Sequence, residues 1–418
     1  DADFAQDENR RYGLSEIDQM DNSHKGYSLN YAFEATDNLT FNILSYYNDY
    51  ARNWFKLDGG NAYVSAANSG DADALAILQG TQDEAGLNYK NNNRAYESKG
   101  IEANAQFALG THSLEVGVRD HSDEMDRFQP VGIYDQVNGS LVYQAEVMPT
   151  GGNNRLEGAD AVSFWLTDQW QATEDLNVHF ALRYEDVESY RYQFADTARE
   201  QLDSTRSNDS DEWLPGVSFT YDVNDNWQVL AGAHKGFSPL GGGAKDFQEP
   251  ETSNNYEAGV RFNQGSFFAE AIGFYSDFSD TTQQCSIANP CDNGSESGSY
   301  VLGESTVAGL ELQASNTFEL GQFLMPVDLA YTYTKGEISQ DNAVTGLMDG
   351  DELNDIPQNT FSVRVALDNN KGWVNYVVGK YIDEMCVSVG CNRDNSRFNK
   401  TESLFVTDFV SRYEVDNN

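Results

Sequence analysis

Two arginines and a glutamine flank a long polar stretch of the sequence, residues 122–158. Arg127 and Gln129 lie near its start, and Arg155 lies near its end. A guanidinium group can hold a carboxylate or a similar oxyanion through two parallel hydrogen bonds, and a side-chain amide adds further donors. The alternative is ordinary ion pairing, since the chain has 67 acidic residues against 26 lysines and arginines. The three residues are candidates for contacts with an anionic ligand.

Regular β-hairpins would position these residues. In residues 256–262 apolar side chains occupy every second position, which is the period of a strand with two unlike faces. A Gly-containing turn and an aromatic-rich strand at residues 267–278 complete that hairpin. The cleanest alternation in the chain has on one face Leu176, Val178, Phe180, Leu182 and Tyr184. Hairpins of this kind recur along the whole chain.

Short turns alternate with long polar stretches. The turns lie near residues 37, 110, 174, 225, 264, 318 and 370, and seven hairpins with a final strand predict about 15 strands. We interpret the polar stretches 51–97, 122–158 and 186–212 as loops, the first with a helix-like patch at 71–78. Short turns at one end and long loops at the other are typical of outer-membrane barrels. A secreted sandwich or propeller is the alternative, but no blade-length repeat occurs.

Composition agrees with a barrel that spans a membrane. No run of 18 apolar residues exists, but the lipid face of a barrel uses only alternate residues. The formal net charge of −41 argues against nucleic-acid binding, which needs basic patches. An odd number of strands would leave an unpaired edge in lipid. We therefore predict an all-β, antiparallel transmembrane barrel in which residues 1–418 form one domain, incomplete at both ends.

The two faces of the strands have different surroundings in this interpretation. The apolar face of residues 176–184 meets lipid, and Tyr and Trp near strand ends form girdles at the interfaces. The polar faces line a lumen too wide for side chains to fill. The residues predicted to face that lumen are Glu102, Gln106, His179, Arg183, Glu257, Arg261 and Glu311.

The four cysteines lie in predicted extracellular loops, where the compartment is oxidising. They form two pairs that are close in sequence, with turn-forming residues such as Pro290 and Gly390 inside them. We predict two disulfides, Cys285–Cys291 and Cys386–Cys391. Cross-pairing between the loops is the alternative, because connectivity cannot be deduced from sequence. A metal site at the cysteines is disfavoured, since no histidine lies nearby.

Enzymatic chemistry has little support in the sequence. The five histidines are scattered and lie in no nucleophile-elbow or metal-binding motif: His24, His112, His121, His179 and His234. The glycine run at 241–243 lacks the Lys-Ser/Thr ending of a P-loop, and we interpret it as a flexible extracellular loop. We therefore predict no catalytic residues and no resident cofactor or metal.

Several stretches, in order along the predicted strands, carry a family resemblance. They are Tyr12-Gly13-Leu14 through Asp21-Asn22, Ser45-Tyr46-Tyr47-Asn48-Asp49, Arg52-Asn53-Trp54-Phe55-Lys56-Leu57, Asn91-Asn92-Asn93-Arg94, Asp126-Arg127-Phe128-Gln129, Lys235-Gly236-Phe237-Ser238-Pro239, Glu249-Pro250-Glu251-Thr252-Ser253 and Ala308-Gly309-Leu310-Glu311-Leu312. With them the chain resembles the barrel domain of TonB-dependent outer-membrane receptors, most closely the ferric dicitrate receptor branch. The resemblance implies a barrel of 22 strands with an N-terminal plug, which is absent from this chain.

The resemblance also implies a function. Such receptors import a ferric chelate, such as ferric citrate or another siderophore, across the outer membrane of a Gram-negative bacterium. The partners would be the chelate, the TonB complex through the missing plug segment, and outer-membrane lipid; Arg127, Gln129 and Arg155 would contact the chelate. The alternatives are a passive porin, or a TonB-dependent receptor for cobalamin or an oligosaccharide. The acidic balance opposes an anionic ligand, because an acidic entrance repels it.

Overall fold

Long antiparallel strands make up almost all of the computed structural model, which describes residues 6, 7, 9, 12–245, 248–285, 298–393 and 400–415. Within that part of the chain, seventeen strands form one sheet. They are β1 (Gln19–Thr36), β2 (Leu39–Leu57), β3 (Glu84–Leu109), β4 (His112–Phe128), β5 (Val131–Val137), β6 (Ser140–Val147), β7 (Gly151–Gln171), β8 (Leu176–Phe194), β9 (Leu202–Asp222), β10 (Trp227–Ser238), β11 (Glu251–Gln264), β12 (Phe267–Cys285), β13 (Gly298–Leu320), β14 (Phe323–Ile338), β15 (Asn359–Asp368), β16 (Trp373–Ile382) and β17 (Leu404–Tyr413).

The sheet is a meander with one added hairpin. Each strand pairs with the next, except that β4 pairs with β7. The hairpin β5–β6 lies beyond the end of β4 and pairs with the first residues of β3. Without that hairpin the continuous wall has the fifteen strands expected from the sequence. In the described residues β1 pairs only with β2, and β17 pairs only with β16.

The short turns match the predicted positions, with one shift. The turn expected near residue 318 lies at residues 321–322, because β13 continues to Leu320. Gly110, Gly265 and Gly321 have φ of 65°, 61° and 67° in their turns. A left-handed backbone of this kind strains any residue with a Cβ atom, so these turns need glycine.

Apolar and polar residues occupy opposite faces of the wall. On β9 the residues from 211 to 220 alternate strictly between exposed and half-buried. Phe180 and Leu182 of β8 are exposed on the outer face, whereas Arg183 donates a hydrogen bond to Ser163 on the inner face at 3.0 Å. By the same alternation, every polar residue predicted to face the lumen lies on the inner face of its strand.

The predicted loops 122–158 and 186–212 are wrong, because both are mostly strand. β8 continues to Phe194 and β9 begins at Leu202. These strands have 19 and 21 residues, whereas about 9–11 suffice to cross a bilayer. The parts of these strands beyond the bilayer carry acidic side chains on the outer face, where Asp160, Glu188 and Asp209 lie opposite one another. Strands with two polar faces have no period-two signature.

The first predicted loop, 51–97, contains the end of β2, two helices and the first part of β3. Helix α2 (Ala72–Leu78) begins at the predicted helical patch, where the Asp71 carboxylate caps the backbone amides of Asp73 and Ala74. Helix α1 (Gly60–Asn68) was not predicted. Around them a small core buries Leu14, Ile77, Leu78, Leu87 and Tyr89. None of the described helices is long and apolar enough to cross a bilayer.

A second small core lies in the loops near the end of the chain. Its buried residues are Leu302, Ile338, Leu347, Leu353 and Val389. Beside it Cys386 and Cys391 form a disulfide, with their Cα atoms 5.6 Å apart. The Glu352 carboxylate lies close to both sulfurs, but a disulfide has no thiolate to offer a metal. The other predicted pair, Cys285 with Cys291, falls outside the described side chains.

Candidate ligand-binding site

Four arginines lie side by side across four adjacent strands. The strand register places Arg52 opposite Arg94, Arg94 opposite Arg127, and Arg127 opposite Arg155. All four are on the inner face, and neighbouring strands are about 4.8 Å apart, so the group spans about 14 Å of wall. We call these four residues the arginine row. Such a line of like charges is repulsive unless something negative compensates it.

The arginine row lies beyond the apolar band of the outer face. On β4 the outward residues Val116 and Val118 are exposed and apolar, and the next outward residue is Asp120. Arg127 is seven residues further along the same strand. The row therefore faces the interior on the side of the long strand extensions, outside the apolar band.

The row has few partners. The Glu157 carboxylate forms an ion pair with Arg155 at 2.9 Å and accepts a hydrogen bond from Arg191, its register partner on β8, at 2.6 Å. Arg127 Nε donates to the Gln129 side-chain oxygen at 2.6 Å. Four buried Nε atoms have no hydrogen-bond partner among the described residues: those of Arg52, Arg94, Arg155 and Arg191. Buried donors in proteins are nearly always paired, so this wall has unused capacity to bind an anion.

Two members of the row are almost fully buried. Arg127 is 3% exposed and Arg155 is 5% exposed. Burial lowers the pKa of Arg127 to about 9, with further lowering by the charges of Arg155 and Arg94. Burial also lowers the pKa of Arg155 to about 10, against the opposite effect of Glu157. Both groups stay protonated at neutral pH, and a bound anion would stabilise them.

The three residues singled out from the sequence are neighbours in the fold. Pairing of β4 with β7 places Arg127 opposite Arg155, and the Gln129 backbone amide donates to Asn153 at 3.0 Å. The sequence argument missed Arg52, Arg94 and Arg191. The signal was present for Arg94: the tight turn at Gly110 sets the β3–β4 register and leads to the pairing of Arg94 with Arg127.

A cavity of about 460 Å³ lies below the row, and residues 239–242 of the glycine loop, residues 239–243, form part of its lining. The loop is held rather than loose. Ser189 Oγ donates to the Leu240 carbonyl at 2.8 Å, and Arg206 Nη1 donates to the Gly243 carbonyl at 2.7 Å. A Cβ atom at Gly242 would lie 2.1 Å from the Tyr190 carbonyl oxygen, so only glycine fits this approach.

The whole chain, residues 1–418, matches the family model described as TonB dependent receptor-like, beta-barrel. The chain belongs to this family. TonB-dependent receptor barrels reside in the outer membrane of Gram-negative bacteria and are transporters rather than enzymes. The exposed apolar band of the wall therefore meets lipid, and the face that carries the arginine row lines the lumen.

Solved receptor structures share this fold at low sequence identity. The siderophore receptor PiuA from Acinetobacter baumannii has a TM-score of 0.69 at 15% identity, over 97% of this chain and 60% of its own. The unliganded ferric citrate transporter FecA has a TM-score of 0.68 at 18% identity, over 99% of this chain and 57% of its own. The copper transporter OprC has a TM-score of 0.66 at 14% identity, over 96% of this chain and 59% of its own. The present chain thus spans 57–60% of the length of these three chains.

Proposed function

We propose that this chain is the barrel of a TonB-dependent receptor that imports an anionic ferric chelate, such as ferric citrate or another siderophore. The observation that carries the proposal is the arginine row, with its unpartnered Nε atoms of Arg52, Arg94 and Arg155. Oxygen-rich iron chelates have carboxylate or phenolate groups that accept bidentate hydrogen bonds from guanidinium groups. Among the described residues a single carboxylate, that of Glu157, forms an ion pair with the row. The remaining charge favours a ligand with more than one negative group.

The proposed partners follow from the family. The receptor would act with the TonB complex through a plug domain and sit in outer-membrane lipid. We propose that residues 1–418 form one barrel domain that lacks strands at both ends, which the greater length of the matched chains supports. We expect no resident cofactor; the iron is cargo.

Two alternatives predict different measurements. A passive porin would conduct ions steadily in planar bilayers and would transport without energy. A receptor for another cargo, such as cobalamin, an oligosaccharide or copper, would need TonB but not a ferric chelate. Because the fold is also that of the copper transporter OprC, the identity of the transported ligand should be tested first.

Uptake of labelled iron tests the proposal. Iron-starved cells with and without the full-length receptor would be given radiolabelled iron as citrate or as other defined chelates. We expect uptake only with the receptor and only while the proton-motive force is intact. Uptake that survives an uncoupler would favour the porin, and receptor-dependent uptake of cobalamin or copper instead of iron would contradict the proposal.

Binding should also depend on pH in an unusual range for arginine. Because the pKa of Arg127 is lowered to about 9, its charge is complete at neutral pH and is lost as the pH rises through 9. Affinity for an anionic chelate should therefore be flat from pH 7 to about 8.5 and then fall, by at most about tenfold per pH unit for one group. Titration calorimetry on the purified receptor measures this. The matched variant Arg127→Met should bind more weakly, and its decline should begin at higher pH, near the pKa of Arg155 at about 10.

A further inference from the structure

Two stacked tyrosines lie directly below the arginine row. Tyr50 of β2 and Tyr96 of β3 are register partners, one inward position below Arg52 and Arg94. Their ring centroids are 5.9 Å apart with an interplanar angle of 28°. The Tyr96 hydroxyl accepts a hydrogen bond from Arg94 Nη1 at 3.4 Å. The lumen wall thus has an aromatic pair that adjoins its cationic row.

The cavity beside the glycine loop lies against this aromatic pair. Both tyrosines line it, and Met125, Ala159 and Val187 continue the apolar wall. Its volume of about 460 Å³ is within the range of small-molecule sites, roughly 300–1,000 Å³. Residues 239–242 line it on another side, where Leu240 bonds to Ser189 of β8 and Ser210 of β9. The result is a slot below the arginine row, lined by the tyrosine pair of β2 and β3 and by the glycine loop on β8 and β9.

Four acidic side chains line the cavity: Glu97, Asp123, Glu124 and Glu157. Each accepts a hydrogen bond or forms an ion pair within the described residues, Glu157 with both Arg155 and Arg191. The anionic oxygens of a ligand would therefore lie at the arginine row, and its uncharged part in the slot.

We infer that the transported chelate carries an aryl group with anionic oxygens, of the phenolate or catecholate class. Its ring would lie in the slot against Tyr96, and its oxygens would contact the arginine row one level above. The inference rests on the proposed function and narrows it. An aliphatic polycarboxylate would use only the arginines, whereas an aromatic contact adds about 2- to 12-fold in affinity.

The test compares two ferric chelates on the full-length receptor in detergent. The probes are iron(III) with 2,3-dihydroxybenzoate and iron(III) with citrate, and calorimetry gives both dissociation constants. Tyr96→Leu should raise the constant of the aryl chelate by about tenfold and leave that of citrate unchanged. Tyr96→Phe keeps the ring and should preserve binding of both. Tyr192→Leu, which removes an exposed tyrosine from the outer face, is the matched control.

The outcomes separate this inference from the proposed function. If wild type binds ferric citrate but not the aryl chelate, the receptor function stands and the aryl assignment is wrong. Equal weakening of both chelates by Tyr96→Leu, or no weakening of either, would also overturn it. If neither ferric chelate binds the wild-type receptor, the proposed function fails and the inference fails with it.

Discussion

Replacement of Arg127 and Arg155 by alanine together is expected to weaken binding of an anionic ferric chelate by about 10- to 100-fold. A hydrogen bond to a charged group contributes about 1.5–3 kcal/mol, and the remaining members of the row compensate in part. The two residues are opposite each other and almost fully buried, so their loss removes half of the arginine row. Calorimetry on the purified receptor and labelled-iron uptake in cells measure the effect.

The matched control is an arginine on the same face far from the row. Arg364 of β15 is paired with Asp328 at 2.8 Å, and Arg364→Ala should leave binding unchanged. Membrane insertion of all variants should be normal, because none of the three arginines faces lipid. If the double substitution leaves receptor-dependent uptake unchanged, the arginine row is not the ligand site, although the transport function still stands.

Leu182→Arg on the outer face is expected to impair membrane assembly. Leu182 of β8 is 41% exposed and lies between two apolar register partners, Leu166 and Pro215. Aromatic residues lie on both sides of Leu182 along the strand. Tyr184 contacts Trp213 on the side of the strand extensions, and Trp170 lies opposite Val178 on the other side. A position between the girdles is near the bilayer midplane, where an arginine costs about 2–4 kcal/mol.

Two neighbouring substitutions calibrate this effect. Phe180→Arg should cost less, because Phe180 lies opposite Asp168, which can pair with the new charge. His179→Arg should be tolerated, since His179 faces the lumen. Heat-modifiable gel mobility and urea unfolding in liposomes measure the order of the three variants. Equal behaviour of Leu182→Arg and His179→Arg would contradict the assignment of the two faces.

The alternation of apolar and polar residues predicted a strand where that strand meets lipid, but it gave no prediction where the strand extends beyond the bilayer. Between residues 176 and 184 one face must be apolar, so the strand and its orientation could be predicted. From Asp186 onward the two faces of β8 no longer differ in polarity: Glu188 and Tyr190 point out, and Val187 and Ser189 point in. Nothing in such a pattern distinguishes a strand from a polar loop. The predicted loops were therefore strand extensions beyond the bilayer.

The candidate site was hidden for the same reason. Arg127 and Arg155 could be proposed because they stand in one polar segment, but their neighbours Arg52 and Arg94 come from other hairpins. Their alignment depends on strands that continue for many residues beyond the apolar band. Once a tight turn such as that at Gly110 is known and the strands are assumed unbroken, the register of distant residues follows. The position of the glycine loop beside the cavity depends on long-range contacts that no local sequence pattern shows.

The outward acids Asp160, Glu188 and Asp209 and the inward arginines of the row act on an approaching anion at different distances. At long range a chain of net charge −41 repels it, and added salt screens that repulsion, since the Debye length is about 8 Å at physiological ionic strength. Inside the wall the buried guanidinium groups are screened much less. The association rate of an anionic chelate should therefore increase with ionic strength, opposite to the behaviour of an electrostatically steered ligand. Stopped-flow quenching of tryptophan fluorescence at increasing salt would measure it, and such a receptor would capture its cargo faster in seawater than in fresh water.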